Sequence, residues 1–273
     1  MAHRHPHDTP GPFRADQLSE SDRYELSGGH PIYCAPAGRE HAGPNVIGAA
    51  VLDTDPDVQW AGVDAGFSPQ PGTLRAPDVA VAAPAAPGEP RGWIPGVPPL
   101  AVEYAAHGQD ESELQEKIAD LLGNGTRLVW VVRLVGPRRV EIYEPGQEVR
   151  VLGPGEHLVA PGILRNPVPV VALYDREAGH RATLRNLLQR QGYDSLEAVR
   201  QEGRSTGREE GREEGREEGM AQAILTLLRG RGLEVPDPVA ARVSACRQAD
   251  RLTTWLLAAA RVERAEAIFD DHG

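Results

Sequence analysis

Of the 29 basic residues in this chain, one is a lysine, Lys117, and the other 28 are arginines. An ammonium is a compact point charge and a guanidinium a wide planar fork, so a chain that uses arginine wherever either cation will serve keeps lysine where the fork will not do. Chance is the competing explanation, and position has to decide. In ESELQEKIADLL (111–122), Leu114, Ile118, Leu121 and Leu122 make the apolar stripe of a helix. Lys117 falls inside that stripe, while Glu113, Gln115, Glu116 and Asp120 face outward. A lysine turned inward is costly unless carboxylates meet it. A lysine snorkelling from the edge of the stripe is the blander alternative.

Two acids answer to that need. Asp78 follows Pro77 at the start of an apolar run, and Glu103 lies in the middle of LAVEYA (100–105). A carboxylate inside an apolar strand must be ion-paired or metal-bound. Two of them on neighbouring strands suit a hard divalent cation: Mg²⁺ takes one or two carboxylates and completes its shell with water and phosphate oxygens. Such a metal stabilises charge on a phosphate as a bond breaks, and Lys117 would orient or activate the attacking water. For Asp78 the competing role is a strand-edge cap. For Glu103 it is a purely structural ion pair with Lys117.

These residues need elements to carry them. The pattern predicts a short helix over 13–21, then a strand at 24–26 that turns at Gly28-Gly29 and returns through 32–33. A helical segment follows over 46–52, with Pro44 near its start. Strands are expected at 77–83 and 100–105, separated by a Pro/Gly loop. A helix over 112–122 opens on a Ser112–Gln115 capping box and stops at Gly123-Asn124-Gly125. Residues 128–134 and 139–144 form a hairpin around Gly136-Pro137, with short strands near 149–152 and 157–159. His107, just beyond the second strand, reads as a loop histidine.

Beyond residue 175 the chain turns helical. The four-residue repeat GRST-GREE-GREE-GREE-G runs from Gly203 to Gly219, and helices are expected at 221–228, 238–243 and 252–260. The repeat reads as a solvated, charged linker with Arg–Glu pairs one turn apart. Self-association into a homo-oligomer through these C-terminal helices, as a coiled coil, is the sharper alternative. The expected organisation is a disordered tail over 1–12 (its HxHxH run a solvated stretch), a domain over 13–175, a helical linker over 176–219 and a small helical module over 220–273.

No apolar run is long enough to cross a membrane, and the N-terminus lacks the apolar core of a secretory signal. Cys34 and Cys246, far apart in sequence, are expected to be reduced thiols in a cytoplasmic protein. The net charge of −11 excludes a broad electropositive surface for nucleic acid. A metal and a local patch must therefore draw phosphates in.

The order and spacing of these pieces resemble the Uma-two family, whose members are described as restriction endonucleases of the PD-(D/E)XK superfamily. The resemblance rests on Pro77-Asp78, on Glu103 in PPLAVEY 25 residues further on, and on Lys117 another 14 residues along in ESELQEKIADLLGNGTRLVWVV. RYELSGG (23–29) resembles an upstream family segment, and His41 falls near a histidine that the family often carries. RRVEIYEPGQEVRVL and GILRNPVPVVALYD resemble its closing hairpin and end, so that the likeness spans 13–175. The resemblance implies an α/β fold, a restriction-endonuclease-like mixed β-sheet flanked by helices, here followed by an all-helical C-terminal extension. It implies hydrolysis of DNA phosphodiester bonds with Mg²⁺ or Mn²⁺. Asp78 and Glu103 would be metal ligands with the Tyr104 carbonyl as a third, Lys117 the catalytic lysine and Glu25 an accessory acid. The chain departs from the family pattern at Ala106-His107-Gly108, at Leu121 and at Arg133. The departures near Glu103, with the acidic charge, favour the alternative of a catalytically weakened nuclease fold that serves as a nucleic-acid-binding or protein-interaction module, whereas the retained Asp78–Glu103–Lys117 set favours the endonuclease.

Overall fold

The computed structural model describes residues 11–88, 92–108 and 110–270. The sequence-based expectations for residues 1–10 lie outside these. Contacts divide the chain into two compact units, 1–195 and 196–273.

In the first unit, β1 (Tyr24–Ser27) and β2 (His30–Tyr33) form the expected hairpin. Gly28 and Gly29 turn it with φ of 55° and 82°, a region that glycine enters without strain. Helix α1 (Arg39–Asp53) starts about two turns earlier than the sequence pattern suggests and holds Pro44 inside it. Three short strands follow that the pattern does not signal: β3 (Trp60–Val63), β4 (Phe67–Gln70) and β5 (Thr73–Arg75). Then come β6 (Val79–Ala82), β7 (Ile94–Pro95), β8 (Leu100–Ala105), α2 (Glu111–Gly123), β9 (Leu128–Arg133), β10 (Arg139–Tyr143), β11 (Arg150–Leu152), β12 (His157–Leu158), β13 (Val168–Pro169) and α3 (Arg176–Arg190).

A six-stranded sheet in the order β11-β10-β9-β8-β6-β3 forms the centre. Only β8 and β9 run parallel in it; the other pairs are antiparallel. The parallel pair is joined through α2, the crossover such pairs require. A second sheet, β2-β1-β5-β4-β7, brings the hairpin to the same end of the unit.

Side chains of a strand alternate between faces. Leu100, Val102 and Tyr104 of β8 join Trp130 and Val132 of β9 in the larger core, with Val51 and Leu52 of α1 and Ala178 and Ala182 of α3. Ala101, Ala105, Val129 and Val131 face the other way and pack on Leu114, Ile118 and Leu121 of α2. Glu103 alternates with Ala101 and Ala105, so it faces α2. The apolar stripe expected on α2 is thus the one it buries. Its cap is Asp110 rather than Ser112: the carboxylate accepts from the amides of Ser112 and Glu113. At the contact of α1 with β8, a β-carbon on Gly48 would overlap the Tyr104 hydroxyl, which donates to Leu173 O at 2.9 Å. The bare glycine backbone makes that approach available.

Helix α3 belongs to this unit although its residues read as linker. Asn186 donates to Val51 O at 3.0 Å, and Arg190 reaches the carbonyls of Asp53, Thr54, Asp55 and Val58 at 2.5–2.9 Å. The second unit holds α4 (Leu196–Gly230), α5 (Asp237–Ser244) and α6 (Ala249–Ala259). Ile224, Leu228, Val243, Leu252 and Ala259 form its core. The Gly-Arg-Glu-Glu repeat lies in the exposed first part of α4, which continues unbroken through five glycines. Cys34 and Cys246 are unpaired, and no helix among the described residues is long and apolar enough to cross a membrane.

Candidate active site

Lys117 is held where three elements meet. Its Nζ donates to Ala76 O at 2.8 Å and to Glu103 Oε2 at 3.1 Å, and lies 3.0 Å from Glu25 Oε1. The side chain is only 15% exposed, so the lysine is engaged rather than snorkelling. Glu25, from β1, also meets Arg75 of β5 at 3.2 Å. Arg75 is among the largest fully buried side chains and binds Asp120 of α2 through Nε at 2.9 Å and Nη2 at 2.6 Å. Asp120, expected to face solvent, therefore anchors the second sheet to α2, and Ser27 Oγ donates to it at 2.9 Å.

Asp78 stands just before β6, at the mouth of the sheet where β6 stops pairing with β8. Its Oδ2 accepts from the Tyr104 amide at 2.6 Å, and its Oδ1 lies 2.9 Å from His41 Nε2 of α1. The Asp78 contact raises the pKa of His41, against the opposing effect of burial. The Tyr104 carbonyl belongs to the residue whose amide Asp78 takes up; in an extended strand the two groups of one residue point to the same side.

Four carboxylates (Glu25, Glu103, Glu116 and Asp120) thus share two full cations, Lys117 and Arg75, with Asp78 paired to His41 alongside. Burial pushes the Glu103 carboxyl up to about 8, with Asp78 and Glu25 adding to the rise and Lys117 opposing it. Burial works against the Lys117 ammonium, but Glu103, Glu25 and Asp78 outweigh it and its pKa is raised. The neighbouring carboxylates act to raise both values, while burial adds to the rise at Glu103 and opposes it at Lys117; that surplus of negative charge favours the uptake of a cation.

Glu103 Oε1 is buried and, although 3.1 Å from Lys117 Nζ, accepts no hydrogen bond. The Glu103 and Asp78 carboxylates and the Tyr104 carbonyl are hard oxygen donors of the kind that Mg²⁺ or Mn²⁺ takes. Among the described residues no group of three or more His, Cys, Asp and Glu side chains is placed to hold a metal. Of such side chains, Asp78 and Glu103 are two carboxylates that line one cleft.

The cluster opens into a cleft of about 920 Å³ lined by Glu25, Asp78, Glu103 and Lys117 and by residues of the hairpin and α1. Sequence reasoning singled out Glu25, Asp78, Glu103, Tyr104 and Lys117, and the structure brings all five together. It missed Arg75 and Asp64. Asp64 lines the cleft with φ of 51°, unusual for a residue with a side chain, and burial raises its pKa. No periodic signal marks either residue. Of the departures from the family pattern, Arg133 is bound to Glu111 at 2.7 Å and Glu141 at 2.8 Å, a latch between α2 and the sheet, and Leu121 is core.

A solved structure described as a "putative nuclease belonging to DUF820 from Anabaena variabilis ATCC 29413" superposes with a TM-score of 0.53 at 17% sequence identity, covering 60% of this chain and 99% of that one. At that identity it establishes a shared fold. No curated protein matches the chain. Residues 13–172, more than half the chain, match the Uma2 family, described as "Putative restriction endonuclease", and the stretch matched contains the whole of the acidic cluster. The chain belongs to the Uma2 family.

Proposed function

We propose that the first unit is a metal-dependent endonuclease that hydrolyses DNA phosphodiester bonds in the Glu25–Asp78–Glu103–Lys117 cleft. The observation that carries this reading is the single lysine of the chain, buried between Glu103 and Glu25 beside a carboxylate oxygen with no donor. Asp78, Glu103 and the Tyr104 carbonyl would hold Mg²⁺ or Mn²⁺. Bound there, the metal supplies charge to offset that developing on the phosphate. His41 and the Tyr104 amide fix the Asp78 carboxylate from two sides, so its orientation is set before any ligand arrives. Lys117, its ammonium kept charged by three acids, gives its three N–H groups to Ala76 O, Glu103 and Glu25, so it would donate to an attacking water or a phosphate oxygen by exchanging one of these acceptors. Glu25 holds Lys117 at 3.0 Å and is itself held by Arg75, which makes it an accessory acid that positions the lysine.

The test is cleavage of plasmid DNA by the purified chain with Mg²⁺, with Mn²⁺ and with EDTA. Nicking or linearisation with either metal, abolished by EDTA and by Asp78→Asn, is expected. A chain that binds DNA but never cuts it would support the second reading, a nuclease fold kept for binding. The excess acidic charge of the chain is the observation on that side.

A further inference from the structure

The walls of the cleft say which form of DNA it accepts, and the inference rests on the reading above for the word substrate though not for the binding itself. The chain has 13 aromatic side chains, and all of them are described. Twelve are buried or half-buried; Tyr33 alone is exposed, at 58%, and it lines this cleft. Its ring packs edge-on against Tyr24 of the same hairpin, with centroids 5.7 Å apart, so it is held upright from below. Tyr24 lines the cleft too.

The basic groups at the rim are few. The side chains of Arg23 and Arg39 line the cleft and have no ion-pair or hydrogen-bond partner among the described residues. Around them the rim is acidic, with Glu20, Asp22, Glu40, Asp64 and Glu113. Duplex binding draws its affinity from many neutralised phosphates on two strands. Two free arginines amid a carboxylate rim cannot supply that. Single-stranded binding needs fewer cations, because bases stacked on aromatic rings contribute, irrespective of sequence. One more group calls for a ligand: Asn45 Oδ1, on a residue 5% exposed that lines the same cleft, accepts no hydrogen bond. An unpaired base offers its Watson–Crick N–H donors in addition to the groove-edge donors that a duplex also presents.

We propose that the cleft takes single-stranded DNA, as a free strand or an unpaired flap, with a base stacked on Tyr33 and the backbone led past Arg23 and Arg39 to Lys117.

The test uses the full chain in EDTA, with a fluorescent 12-nucleotide oligothymidine and, separately, a duplex of the same length. Binding at least about tenfold tighter to the single strand is expected. Stacking is worth about 1–3 kcal/mol per base, so Tyr33→Ala should weaken single-strand binding about 5- to 150-fold, and Tyr33→Phe should restore it. Melting curves should be the same for all three proteins. Equal or tighter binding to the duplex, or a Tyr33→Ala chain that binds the single strand as well as wild type, overturns the inference. Cleavage with Mn²⁺ is read separately. Tyr33-dependent binding without cleavage sinks the nuclease reading and supports the single-strand site. Cleavage of duplex with no preference and no effect of Tyr33→Ala does the reverse.

Discussion

Lys117 has three acceptors, so its replacement has two separable consequences. Lys117→Ala leaves Glu103 buried without its cation and Glu25 with Arg75 alone, and breaking a buried pair from one side costs about 3–5 kcal/mol. Lys117→Arg keeps the charge but not its shape. We expect the arginine variant to lose cleavage by at least about 100-fold, nearly as much as alanine, while melting closer to wild type. An arginine variant that cleaves normally would make Lys117 structural. Glu103 offers a second measurement at this scale. Its folded carboxyl is raised to about 8 from an ordinary 4.5. Between those values the folded state holds a proton that the unfolded state has lost, so stability falls as pH rises through that window. Without metal the melting temperature should therefore drop from about pH 5 to about pH 8, and Glu103→Gln should flatten the slope. A wild-type melting temperature constant over that range would count against the buried acid cluster.

At the scale of elements, α3 changes what a minimal domain is. Its Ala178 and Ala182 are in the main core, and Arg190 covers four carbonyls at the end of α1 and just beyond it. A fragment of residues 13–175 should lose cooperative unfolding, whereas one of 13–195 should keep it, as followed by urea titration. The sequence made some of this visible and hid the rest for definable reasons. Strand β8 is apolar apart from Glu103 and β9 apart from its last residue, as strands buried on both faces tend to be, and α2 carries an apolar stripe interrupted by Lys117. The strands between 60 and 75 are three or four residues long and interrupted by Gly, Asp and Pro, so no period can show. Gly43 and Pro44 mask the first turns of α1, which carry His41. The cap of α2 is one turn of side-chain chemistry away from a plausible rival, Asp110 against Ser112. The site residues on one strand and helix were readable because burial of a charge is visible in a local pattern. Arg75 was not, since its partners lie 45 and 50 residues away in sequence.

For the whole molecule, the excess negative charge of the site should make metal and stability interdependent. A divalent cation that binds only the folded state stabilises it by mass action. Millimolar Mg²⁺ or Mn²⁺ should raise the melting temperature of wild type. Asp78→Asn should lose most of that rise while remaining about as stable as wild type in chelator. A wild-type transition indifferent to both metals would argue against a cation site. The Gly-Arg-Glu-Glu part of α4 is exposed, and its five glycines each cost about 1 kcal/mol against alanine. Limited trypsin digestion should accordingly cut first between Arg204 and Arg216, yielding the two compact units as stable fragments.

The bare backbone at Gly48 has a consequence on the opposite face of the sheet. Tyr104 is wedged between α1 and the core through its hydroxyl, and its amide is what fixes Asp78. A methyl group at position 48 would push on the ring from behind, and β8 would carry that displacement through to the acids like a lever on a fulcrum. Gly48→Ala, which touches no charged group, should blunt metal-dependent stabilisation more than it lowers metal-free melting. The calibration of the site would then be set by an empty space two layers away from it.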